Sequence, residues 1–208
     1  STSSISGTPT NTSATTTGVT GFGDFAIGEN KITPTVVVNL APSYTYISDP
    51  QGPNSLSSPS SPVPTDVTYS YEGTGATVYG PSATRPENAG TYQVTATLNE
   101  DANYYAAAPV TENFTILQKE LTLIDLGTND KVYDATTAAS FTIVPAGPGV
   151  PGTRLAGIIP GDTVGYTPAG YFFDGAAPVS NVGTWTIIST TTLNGAESAN
   201  YFLTQPIF

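Results

Sequence analysis

The chain has 208 residues, 38% of them apolar and 10% charged, with a formal net charge of −11 and neither His nor Cys. At about 100–150 residues per domain this length suits two small domains, and the apolar content is that of a folding chain. The missing residue types exclude a Ser-His-Asp triad, a Cys-His dyad, a His- or Cys-ligated zinc, thiol redox chemistry and a disulfide, while five basic residues against sixteen acidic ones argue against nucleic-acid partners and acidic lipid surfaces.

Thr supplies 35 residues whereas Leu, Lys and Glu are sparse, a balance that favours strands over helices. Residues 1–20 are rich in Ser and Thr and read as a linker or stalk. They belong to an N-terminal arm, 1–28, in which 21–27 carries Phe22, Phe25 and Ile27 and reads as a donor or linker strand. Further along, period-2 alternation predicts strands at 67–71, 91–98, 111–117, 121–126, 140–144 and 184–188. In 91–98 it puts Tyr92, Val94, Ala96 and Leu98 on a core face and Thr91, Gln93, Thr95 and Thr97 on a solvent face. The intervening 49–64, with five prolines, and 145–152 are predicted to be irregular. No ten-residue amphipathic helix is present; 101–107 amounts to a single turn at most. No apolar run is long enough to insert in a membrane. The predicted class is all-β: two tandem small Ig-like β-sandwich domains preceded by the arm.

An internal repeat sets the domain limits. Asn88-Ala89-Gly90-Thr91-Tyr92 matches Asn181-Val182-Gly183-Thr184-Trp185 at an offset of 93, and Ala102-Asn103-Tyr104 matches Ala199-Asn200-Tyr201 at 97. Phe25-Ala26-Ile27 against Phe114-Thr115-Ile116, and Ile32-Thr33 against Leu121-Thr122, both lie at 89. The units are 29–118 and 119–208. The short junction at 117–120 leaves little room for free rotation, so a stiff rod is expected.

In the second unit Lys131-Val132-Tyr133-Asp134-Ala135-Thr136-Thr137-Ala138, then Leu155-Ala156-Gly157-Ile158-Ile159-Pro160-Gly161-Asp162, then Asn181-Val182-Gly183-Thr184, and last Leu193-Asn194-Gly195-Ala196-Glu197-Ser198-Ala199-Asn200-Tyr201-Phe202-Leu203-Thr204 stand in the order of the YDG domain family, which this unit resembles. The first unit, with Asn88-Ala89-Gly90-Thr91-Tyr92-Gln93-Val94-Thr95-Ala96 and Asp101-Ala102-Asn103-Tyr104, is similar to the related MBG family. The resemblance implies β-modules of large secreted bacterial adhesins and surface proteins, with scaffold or adhesive rather than catalytic roles. Ala135 replaces the Gly of the family's Tyr-Asp-Gly, and Tyr44-Thr45-Tyr46 is the poorer counterpart in unit one.

Tyr92, Tyr104, Trp185 and Tyr201 are the expected core anchors, with Tyr92 and Trp185 at equivalent places. Gly90 and Gly183 are expected to take φ > 0 or to permit close packing, and Asn103 and Asn200 to bond nearby backbone. Of possible ligand sites, Asp125, Asp130 and Asp134, near Glu120, are the candidates for calcium, although their spacing fits no loop motif; otherwise no cofactor is expected. Scattered acids argue against a paired-carboxylate glycosidase, and Lys31, Lys119 and Lys131 are poorly placed for a Lys–Asn crosslink. Asn11 and Asn113 fit the glycosylation sequon. Tyr side chains with Phe172, Phe173 and Trp185 offer a sugar-stacking alternative.

The ends of the chain set a further expectation. The start at Ser1 suggests a processed, exported piece. Counting from Tyr201, the counterpart of Phe114 falls near position 211, past Phe208, while the arm opens with a segment like that strand. A cut through a tandem array, a donated N-terminal strand, or 202–208 acting as the final strand would each account for this. The expected function is a non-catalytic extracellular building block of a bacterial surface adhesin or filament, assembling with other copies head to tail through the N-terminal strand; the alternative is a module binding a host or matrix glycan.

Overall fold

The structure, a computed structural model, describes residues 31–58, 66–124, 126–143 and 155–208. Phe22, Phe25, Ile27, Asn11 and Asp125 lie outside them. The described chain is all-β, with one short 3-10 turn at Ser198–Asn200. Unit one holds β1 (Val37–Val38), β2 (Tyr44–Thr45), β3 (Leu56–Ser57), β4 (Val67–Gly73), β5 (Gly90–Leu98) and β6 (Val110–Leu117). Unit two holds β7 (Lys119–Leu123), β8 (Leu126–Thr128), β9 (Phe141–Ile143), β10 (Leu155–Ala156), β11 (Gly165–Thr167), β12 (Gly170–Phe173), β13 (Thr186–Ser189), β14 (Thr192–Asn194) and β15 (Tyr201–Thr204).

Alternation along β5 decides unit one. Tyr92, Val94, Ala96 and Leu98 are all buried while Thr91 on the other face is exposed, because successive strand residues point to opposite faces. The four-stranded sheet β2-β6-β5-β4 presents that face, with Phe114, Ile116 and Tyr71, to Val36, Val38 and Leu56 of the β1-β3 ribbon. Two apolar layers close on each other, an arrangement consistent with a small sandwich. Leu56–Ser57 forms a strand inside the proline-rich stretch expected to be irregular, since pairing with Val37–Val38 and burial of Leu56 outweigh the local breakers.

Unit two is built from shorter pieces: the sheet β10-β7-β15 and the ribbons β8-β9, β11-β14 and β12-β13. The predicted strand 121–126 is divided between β7 and β8. Parallel pairing recurs in both units, β2 with β6 and β7 with β15. The closing residues divide as well: 201–204 pairs with β7, and Phe208 exchanges backbone hydrogen bonds with Ile187 of β13 at 2.9 and 3.1 Å.

The two equivalent aromatics differ in their surroundings. Tyr92 donates its hydroxyl to Asn88 O at 2.7 Å and Trp185 its indole N–H to Asn181 O at 2.9 Å, the same four-residue reach back in each unit. Neither Gly90 nor Gly183 is among the residues of positive φ. Close packing is their role: a Cβ on Gly183 would lie 2.7 Å from the Trp185 ring, and one on Gly90 2.9 Å from the Thr77 side chain and 3.1 Å from the Tyr92 hydroxyl. Tyr92 is 2% exposed, but Trp185 is only partly buried, which corrects the expectation of a second core anchor there. Phe114 stacks on Tyr92 at 5.5 Å between centroids, whereas no described residue covers Trp185 in that way. Truncating a large buried aromatic costs about 3–5 kcal/mol, so Tyr92→Ala should lower the urea midpoint far more than Trp185→Ala, whose loss should be no more than about half of that; equal shifts would contradict the assigned burial.

Candidate functional site

Two features carry the chemistry: a polar lock where the units meet and an aromatic groove in unit two. At the lock a single residue, Gln118, separates β6 from β7, and its amide donates to Ala199 O at 2.9 Å. Asp162 of unit two accepts from the hydroxyls of Tyr46 at 2.9 Å and Ser48 at 2.9 Å in unit one, and from Tyr201 at 2.5 Å. Tyr46 and Tyr201 are both buried and meet edge to face at 5.3 Å, and one apolar core runs through both units from Val94 to Leu121, Leu155 and Val164.

Burial pushes the Asp162 carboxyl up, but the hydroxyls of Tyr201, Tyr46 and Ser48 together hold it below its usual range. The same lock raises the Tyr201 hydroxyl, through burial first and then through its bond to Asp162. Asn200, buried, accepts from Ala89 N at 2.9 Å and donates to Asn88 Oδ1 at 3.0 Å. Its side chain therefore reaches across to the other unit instead of bonding nearby backbone as expected. Asp162 was visible in the sequence as part of the Pro160-Gly161-Asp162 motif, without a role, because its unit-one partners Tyr46 and Ser48 are more than a hundred residues away.

The groove, about 430 Å³, is lined by Tyr133, Phe172, Val182, Trp185 and Ile187 with Lys131 and Asp134. Lys131 and Asp134 hold its rim. The half-buried Lys131 ammonium lies 2.7 Å from Asp134, donates to Ala138 O at 3.0 Å and sits 6.0 Å from the Phe172 ring centre. Asp134 also accepts from Thr136 N and Oγ1, both at 2.9 Å; Lys131 first and Thr136 next bring its carboxyl down to about 2. Ala135, between them, takes φ of 61°, a left-handed turn that explains why Gly suits this place in the Tyr-Asp-Gly pattern.

The other predicted residues scatter. Tyr104, expected as a core anchor, is instead only half-buried, at the far end of unit one, where Asp101 Oδ1 accepts its N–H at 2.8 Å. Asp130 lines the groove, and Asp134 is already engaged by Lys131; among the described residues no three acidic side chains gather as a metal site would require. Lys31 pairs with Glu100 at 2.6 Å. Phe173 packs edge to face on Tyr171 at 6.3 Å, and Asn113 stands exposed on β6.

Compared with known families, residues 117–207 match the YDG domain. Unit two is a YDG-type domain. No curated protein and no solved structure matches the chain. The match begins at the last residue of β6 and so places the YDG boundary at the one-residue junction.

Two outcomes test this geometry. A carboxylate whose folded pKa is depressed stabilises the fold above its unfolded value, 3.8 for Asp162, and that contribution disappears as pH falls through the folded value. Wild type should therefore be more stable than Asp162→Asn near neutrality, with the gap in melting temperature closing below about pH 4; a gap independent of pH would remove Asp162 from the lock. At Ala135 the left-handed conformation costs an L-residue about 1–2 kcal/mol, partly offset by the greater chain entropy of Gly, so Ala135→Gly should stabilise the domain by about 0.5–1 kcal/mol in urea unfolding.

Proposed function

We propose that this chain is a non-catalytic extracellular structural module, a building block of a bacterial surface adhesin or filament that assembles head to tail through its N-terminal strand. The observation that carries this reading is the junction: the closing strand of unit one passes through one residue into the opening strand of unit two. Around that link, Asp162 and Asn200 tie the units together. A link of this kind transmits load along the chain axis and resists bending, as a spacer requires. The YDG match over 117–207 adds the family context, in which such units resemble the repeats of secreted surface proteins.

The groove favours a second reading, glycan binding, because Tyr133, Phe172 and Trp185 line it and aromatic faces of this kind stack on sugars. Electron microscopy and sizing of the full chain against a chain lacking residues 1–28 separate the two. The first reading expects assemblies of the full chain and a soluble, less stable monomer after truncation. A truncated protein that assembles and melts like the full chain would refute it, and glycan-array binding lost in Trp185→Ala would favour the second.

A further inference from the structure

We propose that the outer edge of β4 in unit one is a docking site for an extended acidic peptide, which adds a strand beside Tyr69 and sets a carboxylate on Arg85. The site is separate from both the junction and the groove of unit two and needs neither of the two readings above.

β4 stands at the end of the sheet β2-β6-β5-β4, so one of its sides has no strand. That side is covered at its C-terminal half alone. Tyr71 N–H donates to Ser82 O at 2.8 Å and Ser82 N–H to Tyr71 O at 2.9 Å, and Gly73 N–H donates to Tyr79 O at 2.9 Å. Backbone groups of a strand repeat their direction every second residue, which turns the N–H and C=O of Tyr69 to the same side. The antiparallel bridge of Tyr71 with Ser82 would put Thr84 opposite Tyr69, but Thr84 is drawn away. Its N–H donates to Ser82 Oγ at 3.0 Å and its carbonyl accepts the Tyr79 hydroxyl at 2.7 Å, while Gln51 N–H holds the carbonyl of the buried Pro86 at 2.8 Å. Among the described residues nothing bonds the main chain of Tyr69 on this side, and an unpaired run of strand edge is a template for a further strand.

Where the chain leaves the edge it opens a cleft of about 470 Å³ between Tyr69 and Thr84, bounded by Pro50, Asn54 and Arg85, a volume in the range of ligand sites. Its walls are fixed from behind. The Tyr71 hydroxyl donates to Pro53 O at 2.6 Å and the Gln51 amide to Thr45 O at 2.9 Å, and the half-buried Tyr69 lies nearly parallel to Tyr71 at 6.5 Å between centroids. A preformed cleft spares an incoming segment part of the cost of ordering the site.

The charge of Arg85 decides the class of partner. Lys31 is paired with Glu100 and Lys131 with Asp134, whereas the half-buried Arg85 has neither an ion pair nor a hydrogen bond among the described residues. It stands so in a chain with sixteen acidic residues against five basic ones. A guanidinium binds a carboxylate through two parallel N–H donors. An extended peptide brings that carboxylate on an Asp or Glu side chain together with the main-chain partners that Tyr69 lacks; a sugar acid or a phosphate would bring the anion alone. Tyr69 and Tyr71, two residues apart, share the face on which the cleft lies. Opposing residues of a strand pair also share a face, so the acidic residue is the one opposite Tyr69.

The probe is a peptide of sequence Thr-Val-Thr-Asp-Thr-Val-Thr, capped at both ends and titrated calorimetrically into the full chain. It should bind at least about tenfold more tightly than its Asn counterpart, the loss expected for one charge-assisted hydrogen bond. Methylating the main-chain nitrogen of its Asp, which removes the donor to Tyr69 O, should weaken it by a similar factor. Arg85→Gln should bind the Asp and Asn peptides alike. Ala83→Glu, a change at an exposed position of the cleft, should weaken the Asp peptide at least about tenfold at an unchanged melting temperature, and it carries the test should Arg85→Gln fail to fold. In hydrogen exchange the Tyr69 amide of the free chain should exchange faster than that of Ser70, which faces β5, and should slow at least about tenfold under saturating Asp peptide. No binding of that peptide, or binding indifferent to Arg85→Gln and to the methyl group, would overturn the proposal. Glucuronate or inorganic phosphate bound through Arg85, with methylation of the peptide without effect, would show a site for anions alone and equally refute the added strand.

Discussion

Phe114 against Tyr92 is the contact on which unit one is organised. The two residues oppose each other across β5 and β6, and their rings stack at 5.5 Å with an interplanar angle of 26°. Cross-strand aromatic pairs fix register as well as adding burial, since a one-residue slip of either strand would turn its ring to solvent. With Phe114 in place, Tyr71 is enclosed to 1% exposure; its hydroxyl bonds Pro53 O at 2.6 Å, and burial pushes that hydroxyl up to about 12. In unit two Trp185 is only partly buried, and no described ring stacks on it as Phe114 stacks on Tyr92.

The junction solves a different problem. Joining two small cores end to end exposes apolar ends that neither unit covers alone. Here Tyr46 and Tyr201 cover them and retain their hydroxyls by directing both at Asp162. A carboxylate with three hydroxyl donors is a favourable way to satisfy buried polar atoms, and among the described residues no buried side-chain donor or acceptor is left unmatched. Asp162 thus puts an acidic side chain to structural use at the junction, while the outer face of β5 and β6 carries neutral pairs such as Thr95 with Thr111, whose hydroxyls lie 3.2 Å apart.

Much of this was legible in the residues. Alternation marked the buried face of β5 correctly because each side chain there obeys a local rule. The repeat paired Tyr92 with Trp185, and both reach back to the carbonyl four residues earlier. The Lys131-to-Ala138 motif drew attention to the loop that rims the groove. Harder to read were the two-residue strands, such as Leu56–Ser57, since partners nineteen or so positions away stabilise them and their own composition does not.

The sequence by itself determined the all-β class and the exclusion of thiol and imidazole chemistry, because these depend on residue type and short-range period. Tertiary structure alone decided that Asp162 and Asn200 bind the other unit, that Gly90 and Gly183 serve close packing and not a left-handed turn, and that Trp185 stays partly open where Tyr92 is sealed. Each of those outcomes depends on which strand lies alongside. That is settled by long-range pairing and the burial it permits, so identical local motifs come to different ends.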